Sequence, residues 1–247
     1  MIDDVTAKPI TKSVAEITEI FSSLQGEGLY VGERHLFVRF GGCNLTCQYC
    51  DEKGKTPKTM TSEEVLDYVK NVDLISGPHS YISLTGGEPL MSGAFLLKLC
   101  PELKSEGFKL YLETNGTLVE EMKNLMPFVD VISMDVKPAS VTKGKSWLDE
   151  HERFLGAIYN YGKKRPDIFV KMVIDNTLVL KEFRDLCEMI GLVDANIPLI
   201  LQPVSRFSEG YHDPDLMHFL TGLQTNALYV LKDVRIIPRL HKLLKIR

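Results

Sequence analysis

Along the 247-residue chain, short apolar runs rich in β-branched residues alternate with longer segments of helical period. The runs at 36–40, 81–85, 109–112, 129–136, 168–174, 198–204 and 228–237 are predicted strands. Thr61-Ser62-Glu63-Glu64 opens a helix with a capping-box pattern, and Val65, Leu66 and Val69 mark its apolar face. Further helices are predicted over 93–106, 118–126, 147–161, 180–190 and 213–223. Strand–helix alternation of this kind argues for an α/β protein with a parallel sheet and crossover helices. The sheet is either open and doubly wound or a closed or partial barrel. Both place chemistry at the carboxyl ends of the strands. The unusual residues collect at those ends: Gly41-Gly42-Cys43, Thr85-Gly86-Gly87-Glu88-Pro89, Glu113-Thr114-Asn115-Gly116, Asp135 with Lys137, and Gln202-Pro203, with Lys171 inside the fifth run. No linker, repeat or low-complexity tract divides the chain, so one domain is expected over 1–247.

Composition narrows the class. With 44% hydrophobic and 25% charged residues, the chain is neither disordered nor fibrous. A formal net charge of −4 gives no sign of a surface built for nucleic acid. The acidic start Met1-Ile2-Asp3-Asp4 and the lack of an apolar run near the roughly 18 residues of a membrane span predict a cytoplasmic protein with no membrane partner.

Cysteine placement says more. Three of the five cysteines fall in the loop Cys43-Asn44-Leu45-Thr46-Cys47-Gln48-Tyr49-Cys50. In a reducing compartment this reads as metal or redox chemistry. Three closely spaced thiolates can hold three irons of a [4Fe–4S] cluster and leave the fourth open. A structural zinc site wants four ligands, and no second Cys/His pair follows. A zinc knuckle borrowing a distant ligand and plain buried thiols are the alternatives. Cys100, Cys187, Met122, Met126, Met172 and Met189 read as core packing.

The Cys-x3-Cys-x2-Cys loop, with Tyr49 before its last cysteine, resembles the radical S-adenosylmethionine (SAM) superfamily, and Gly86-Gly87-Glu88-Pro89 resembles its second signature. In that superfamily the open iron is chelated by SAM, which one electron cleaves to a 5′-deoxyadenosyl radical. Finer motifs resemble the 7-carboxy-7-deazaguanine synthase family: Leu24-Gln25-Gly26-Glu27-Gly28, the run from Phe37 into the cysteines, Glu113-Thr114-Asn115-Gly116-Thr117, Gln202-Pro203-Val204 and Pro238-Arg239-Leu240-His241-Lys242. The resemblance implies a partial or modified (β/α) barrel of the radical SAM type, with short N- and C-terminal extensions. It implies ring contraction of 6-carboxy-5,6,7,8-tetrahydropterin to 7-carboxy-7-deazaguanine with loss of ammonia, on the route to queuosine. The radical does the chemistry, so no side chain is named as catalytic. A flavodoxin- or ferredoxin-type electron donor follows from the same resemblance, which also allows a homodimer.

Residue roles carry over one by one. Cys43, Cys47 and Cys50 would hold the cluster. Tyr49, Gly87, Glu88, Asn115, Asp135, Lys137 and Gln202 would line the SAM site. Leu24, Gln25, Gly26, Glu27, Arg39, Thr85 and His241 would meet the pterin, Glu27 accepting from its N–H edge and Arg39 pairing with its carboxylate. Each has a plainer alternative: Glu27 a surface carboxylate, Arg39 half of a buried ion pair, Thr85 a strand-end cap, Asp135 and Lys137 a strand-end ion pair, His241 a tail residue. The sequence departs from the family in two places. Glu52 stands where a hydroxyl residue usually contacts Mg²⁺, and a carboxylate is a good hard ligand for that ion. Arg239 stands in place of a glutamine. Two other functions compete, a radical SAM activase or maturase, suggested by Asp135-x-Lys137, and a non-catalytic metal-binding interaction module.

Overall fold

The computed structural model describes residues 13–47, 50, 54–204 and 213–246. One nine-stranded sheet organises them in the order β3-β1-β2-β4-β5-β6-β7-β8-β9. Strands β2 (Arg34–Phe40), β4 (Tyr81–Gly86), β5 (Leu110–Thr114), β6 (Val131–Val136), β7 (Asp167–Ile174), β8 (Leu199–Pro203) and β9 (Val234–Ile236) run parallel. Helices α1 (Ser62–Ser76), α2 (Gly93–Ser105), α3 (Val119–Leu125), α5 (Leu148–Asn160), α6 (Leu180–Asp194) and α7 (Pro214–Ala227) fall between successive parallel strands, as the alternation predicted. The single turn α4 (Ala139–Thr142) and the terminal α8 (Leu240–Leu244) complete the set. Since β3 and β9 end the sheet without meeting, this is a partial (β/α) barrel.

Two strands at one side of the sheet escaped the periodicity. Strand β1 (Val14–Leu24) pairs antiparallel with β2, and β3 (Lys58–Thr61) pairs antiparallel with β1. β1 buries only Ala15, Ile17 and Phe21 among exposed and half-buried positions, and β3 is four residues long without a buried side chain, so neither carries a strong apolar signal. The strand expected over 228–237 shrinks to Val234–Ile236. Residues 228–231 instead form the turn that follows α7, with the Leu228 N–H donating to the Gln224 carbonyl and the Leu231 N–H to that of Ala227. Of these side chains Leu231 is buried, while Leu228, Tyr229 and Val230 are exposed.

Packing follows the strand alternation. One face of the sheet buries Leu36, Val38, Ile82, Leu84, Leu112, Ile132, Val170 and Leu199 against the helices. Cys100 and Cys187 are buried there, as are the four methionines expected in the core. At the amino ends of the strands, the other face is plugged by Tyr111, Val131, Phe169 and Ile200. Tyr30 seals that plug, 5.4 Å from Tyr81 and Tyr111 and 6.3 Å from Phe169, so the sheet curls around it. Burying such side chains contributes on the order of 1.5–3 kcal/mol each. Chain from Gln25 to Tyr30 therefore crosses the inner face, and the space above it toward the carboxyl ends stays open. No helix among the described residues is long and apolar enough to cross a membrane.

Candidate active site

A cavity of about 810 Å³ occupies the inner face above the plug. Its walls come from the inward parity of each strand: Arg39, Thr85, Glu113, Ser133, Asp135, Lys171 and Gln202. These polar positions alternate with the apolar residues facing the helices. The cysteine loop also opens on the cavity, as do Leu24, Gln25, Gly26 and Glu27 after β1 and Arg239, His241 and Lys242 at the C-terminal end. All seven residues expected at a substrate thus line one space. Of those expected at SAM, Gly87, Asn115, Asp135, Lys137 and Gln202 line it as well. Tyr49 and Glu52 lie outside the described residues.

Glu88 is placed differently. It is 1% exposed and stands behind the wall. Its Oε1 accepts from the Thr114 hydroxyl at 2.8 Å and the Leu90 N–H at 3.1 Å, and its Oε2 from the Asn115 N–H at 2.7 Å. Burial pushes its carboxyl up to about 7 despite these donors. Glu88 holds the 114–117 turn in place. Asn115 in turn donates to Asn44 at 2.8 Å, and Asn44 donates to Thr117 at 2.8 Å, which ties that turn to the cysteine loop. His151 reaches the Asn115 carbonyl at 3.0 Å from behind.

The glycines act as backbone contacts. Gly86 has φ +123°, and a Cβ there would overlap the Phe40 backbone; one at Gly87 would overlap the Gly42 carbonyl. Gly87 and Glu88 donate to the carbonyls of Phe40 and Gly42 at 3.0 and 2.9 Å. These glycines bring the β4 turn onto the chain leading into Cys43. Gly26 has the same character: His241 packs where its Cβ would stand, and its carbonyl accepts from the Leu240 N–H at 2.8 Å. That contact seats α8 on the cavity rim.

A charged network forms the floor. Lys171 bonds Oε2 of Glu27 and lies 3.1 Å from Oδ2 of Asp135. Lys137 approaches the same Asp135 oxygen at 2.9 Å, and Gln202 donates to Glu27 at 3.2 Å. Burial pushes Glu27 up, but the charge and hydrogen bond of Lys171, with Arg239 and His241 further off, bring it down to about 2. Burial disfavours the Lys171 ammonium, yet Asp135, Glu27 and Glu113 hold its pKa well above the ordinary lysine value. Glu113 accepts from Gln25 at 2.9 Å and Thr85 at 2.7 Å, and burial raises its pKa. Arg39 lies 3.6 Å from Glu19 and over the Phe21 ring. Sequence reasoning placed Lys171 and Glu113 among the unusual residues but gave neither a role at the site. A charged side chain in the middle of an apolar strand was their signal.

The donor set suits a cluster and a SAM-like ligand. Cys43, Cys47 and Cys50 are free thiols that open on the same cavity; burial raises the Cys43 thiol, and the nearby Cys47 and Cys50 thiolates add to that. Among the described residues, no three His, Cys, Asp or Glu side chains converge to hold a single metal ion. A [4Fe–4S] cluster asks instead for one thiolate at each of three corners. Asp135 Oδ1 and Gln202 Oε1 are buried acceptors without a hydrogen-bond partner among the described residues, and both residues line the cavity. Ribose hydroxyls or an ammonium would satisfy them.

Comparison with known proteins agrees. Residues 37–190 match the family model described as the Radical SAM superfamily. A 7-carboxy-7-deazaguanine synthase from Geobacter sulfurreducens is 36% identical, covering 94% of this chain and 98% of its own. One from Methanopyrus kandleri is 32% identical, covering 92% of each. The crystal structure of QueE from Escherichia coli shares the fold with a TM-score of 0.65 at 21% identity, covering 92% of this chain and 95% of that one.

Proposed function

Because the chain belongs to the Radical SAM superfamily and, within it, to the 7-carboxy-7-deazaguanine synthase family, we propose that it converts 6-carboxy-5,6,7,8-tetrahydropterin to 7-carboxy-7-deazaguanine as a carbon–nitrogen lyase. One observation carries the proposal: the cysteine loop and the Gln25-Gly26-Glu27 segment, far apart in sequence, open on one cavity. When bound, a [4Fe–4S] cluster and SAM supply a 5′-deoxyadenosyl radical, and this chain's residues decide what meets it.

Cys43, Cys47 and Cys50 hold the cluster. Asn115, Asp135, Lys137 and Gln202 offer SAM amide, carboxylate and ammonium partners, while Glu88 acts from behind as a positioning residue. Glu27, kept ionised, accepts from the N–H edge of the pterin. Arg39 and the basic groups of the C-terminal segment face the pterin carboxylate. The curled sheet and α8 restrict water around the reacting atoms. Mg²⁺ assistance with Glu52 as a ligand, a flavodoxin- or ferredoxin-type reductant, a homodimer and a cytoplasmic location belong to the same proposal. The activase alternative drew on Asp135 and Lys137, which here pair with each other.

An anaerobic assay on cluster-reconstituted protein with SAM, reductant, Mg²⁺ and the pterin tests the proposal. The expected product is 7-carboxy-7-deazaguanine by mass spectrometry, abolished in Cys47→Ala. Accumulation of 5′-deoxyadenosine and methionine without that product would leave the radical chemistry and refute the substrate. Omitting Mg²⁺ tests the metal.

A further inference from the structure

Lys171 stands on β7 between two carboxylates from opposite sides of the site. Its side chain is 7% exposed, it bonds Glu27, and it lies 3.1 Å from Asp135. Resting on the function proposed above, we propose that Lys171 is a positioning residue for the pterin, fixing the Glu27 carboxylate toward the substrate's N–H edge.

Three features of the geometry lead there. First, Lys171 and Gln202 both take Oε2 of Glu27, the latter at 3.2 Å. The carboxylate is thereby held in one orientation, and Oε1 accepts no hydrogen bond among the described residues. Second, the network is lopsided. Asp135 keeps Lys137 at 2.9 Å if Lys171 is removed, whereas Glu27 loses its bonded ammonium. Removing Lys171 therefore strikes the pterin side of the cavity and spares the cofactor side. Third, a buried carboxylate stripped of its cation tends to take up a proton. Glu113 on β5 adds to that tendency, while Arg239 and His241 of the C-terminal segment oppose it from a greater distance. A protonated Glu27 would bring a hydroxyl donor to a substrate edge that itself donates, the wrong partner for it.

The test is a titration of cluster-reconstituted protein with 6-carboxytetrahydropterin and, separately, with SAM. Wild type, Lys171→Met, Lys171→Arg, Glu27→Gln and the Lys171→Met/Glu27→Gln double variant are compared. Pterin affinity should fall about tenfold or more in Lys171→Met, and SAM affinity should stay within about twofold of wild type. In turnover, KM should rise with kcat largely kept, since Lys171 acts on substrate binding through Glu27. Lys171→Arg should recover part of the loss. In the double variant the two losses should not multiply, because both remove the same acceptor geometry. Wild-type pterin affinity in Lys171→Met, losses that multiply, or a SAM affinity that falls as far as the pterin's would each overturn the proposal. If Lys171→Met does not fold, Lys171→Gln carries the same comparison. Wild type that binds SAM but not the pterin would overturn the functional proposal itself, and this one with it.

Discussion

Glu27 is a half-buried carboxylate at the cavity and Glu88 a fully buried one behind its wall, and their neighbours drive them in opposite directions. Glu27 has an ammonium against it and drops to about 2; Glu88 is held by neutral donors, with the Lys137 charge a weaker influence, and burial carries it to about 7. An ionic partner repays desolvation where hydrogen bonds alone do not. The sequence offered both as ligand contacts. Only the structure separates Glu27, at the cavity, from Glu88, which supports the Asn115 turn from behind. Glu88→Gln turns an N–H toward donors that need an acceptor. It should cost about 1–2 kcal/mol of stability by urea unfolding and weaken SAM binding while pterin binding holds. Unchanged SAM affinity in that variant would remove Glu88 from the cofactor site altogether.

At the scale of elements, the junction between β2 and β4 sets where the cysteine loop begins. Arg39 pairs with Thr85 and Phe40 with Gly86 in parallel register, and the two glycines that follow press onto Phe40 and Gly42. Gly87→Ala should therefore cost about 2 kcal/mol or more and reduce cluster retention, read by thermal unfolding and visible absorbance. Gly107, at φ +88° with open space around its Cβ position, is the control. Its alanine variant should lose only about 1 kcal/mol to backbone strain and keep the cluster. Equal cluster loss in both would show that close packing at the junction is not what matters. The parallel strands and their helices were legible in the sequence because each buries a continuous or periodic apolar stretch. β1 and β3 were not: β3 is a short edge strand without a buried side chain, and β1 beside it buries only Ala15, Ile17 and Phe21.

For the molecule as a whole, acid stability follows from groups the fold has buried. Burial lowers His35 and His151 from 6.5 to about 4. Between those values the unfolded chain takes up protons that the folded chain refuses, so their contribution to stability is lost as pH falls from 6.5 toward 4. Glu88 works the other way. Its folded form binds a proton near 7 and its unfolded form near 4.5, so it adds stability as pH falls through that range. Glu113, which burial also raises, works in the same direction as Glu88, and the two imidazoles outweigh these carboxylates to leave a net loss of stability between pH 6.5 and 4. Urea unfolding across that range checks it, and Glu88→Gln should steepen the loss. A flat profile would mean that both imidazoles charge freely in the folded state. The sequence by itself determined which residues could do chemistry: a three-cysteine loop with the spacing of a cluster, a Gly-Gly-Glu-Pro turn, and motifs at both ends of the chain. Those are local facts, fixed by neighbours a few positions apart. Tertiary structure decided which of them meet. Strand parity turned Arg39, Thr85, Glu113, Asp135, Lys171 and Gln202 onto one face, and curling around Tyr30 brought Glu27 to Lys171 across 144 positions of chain. Such pairings depend on register and curvature, and these are set by the packing of the whole sheet rather than by any short stretch of sequence.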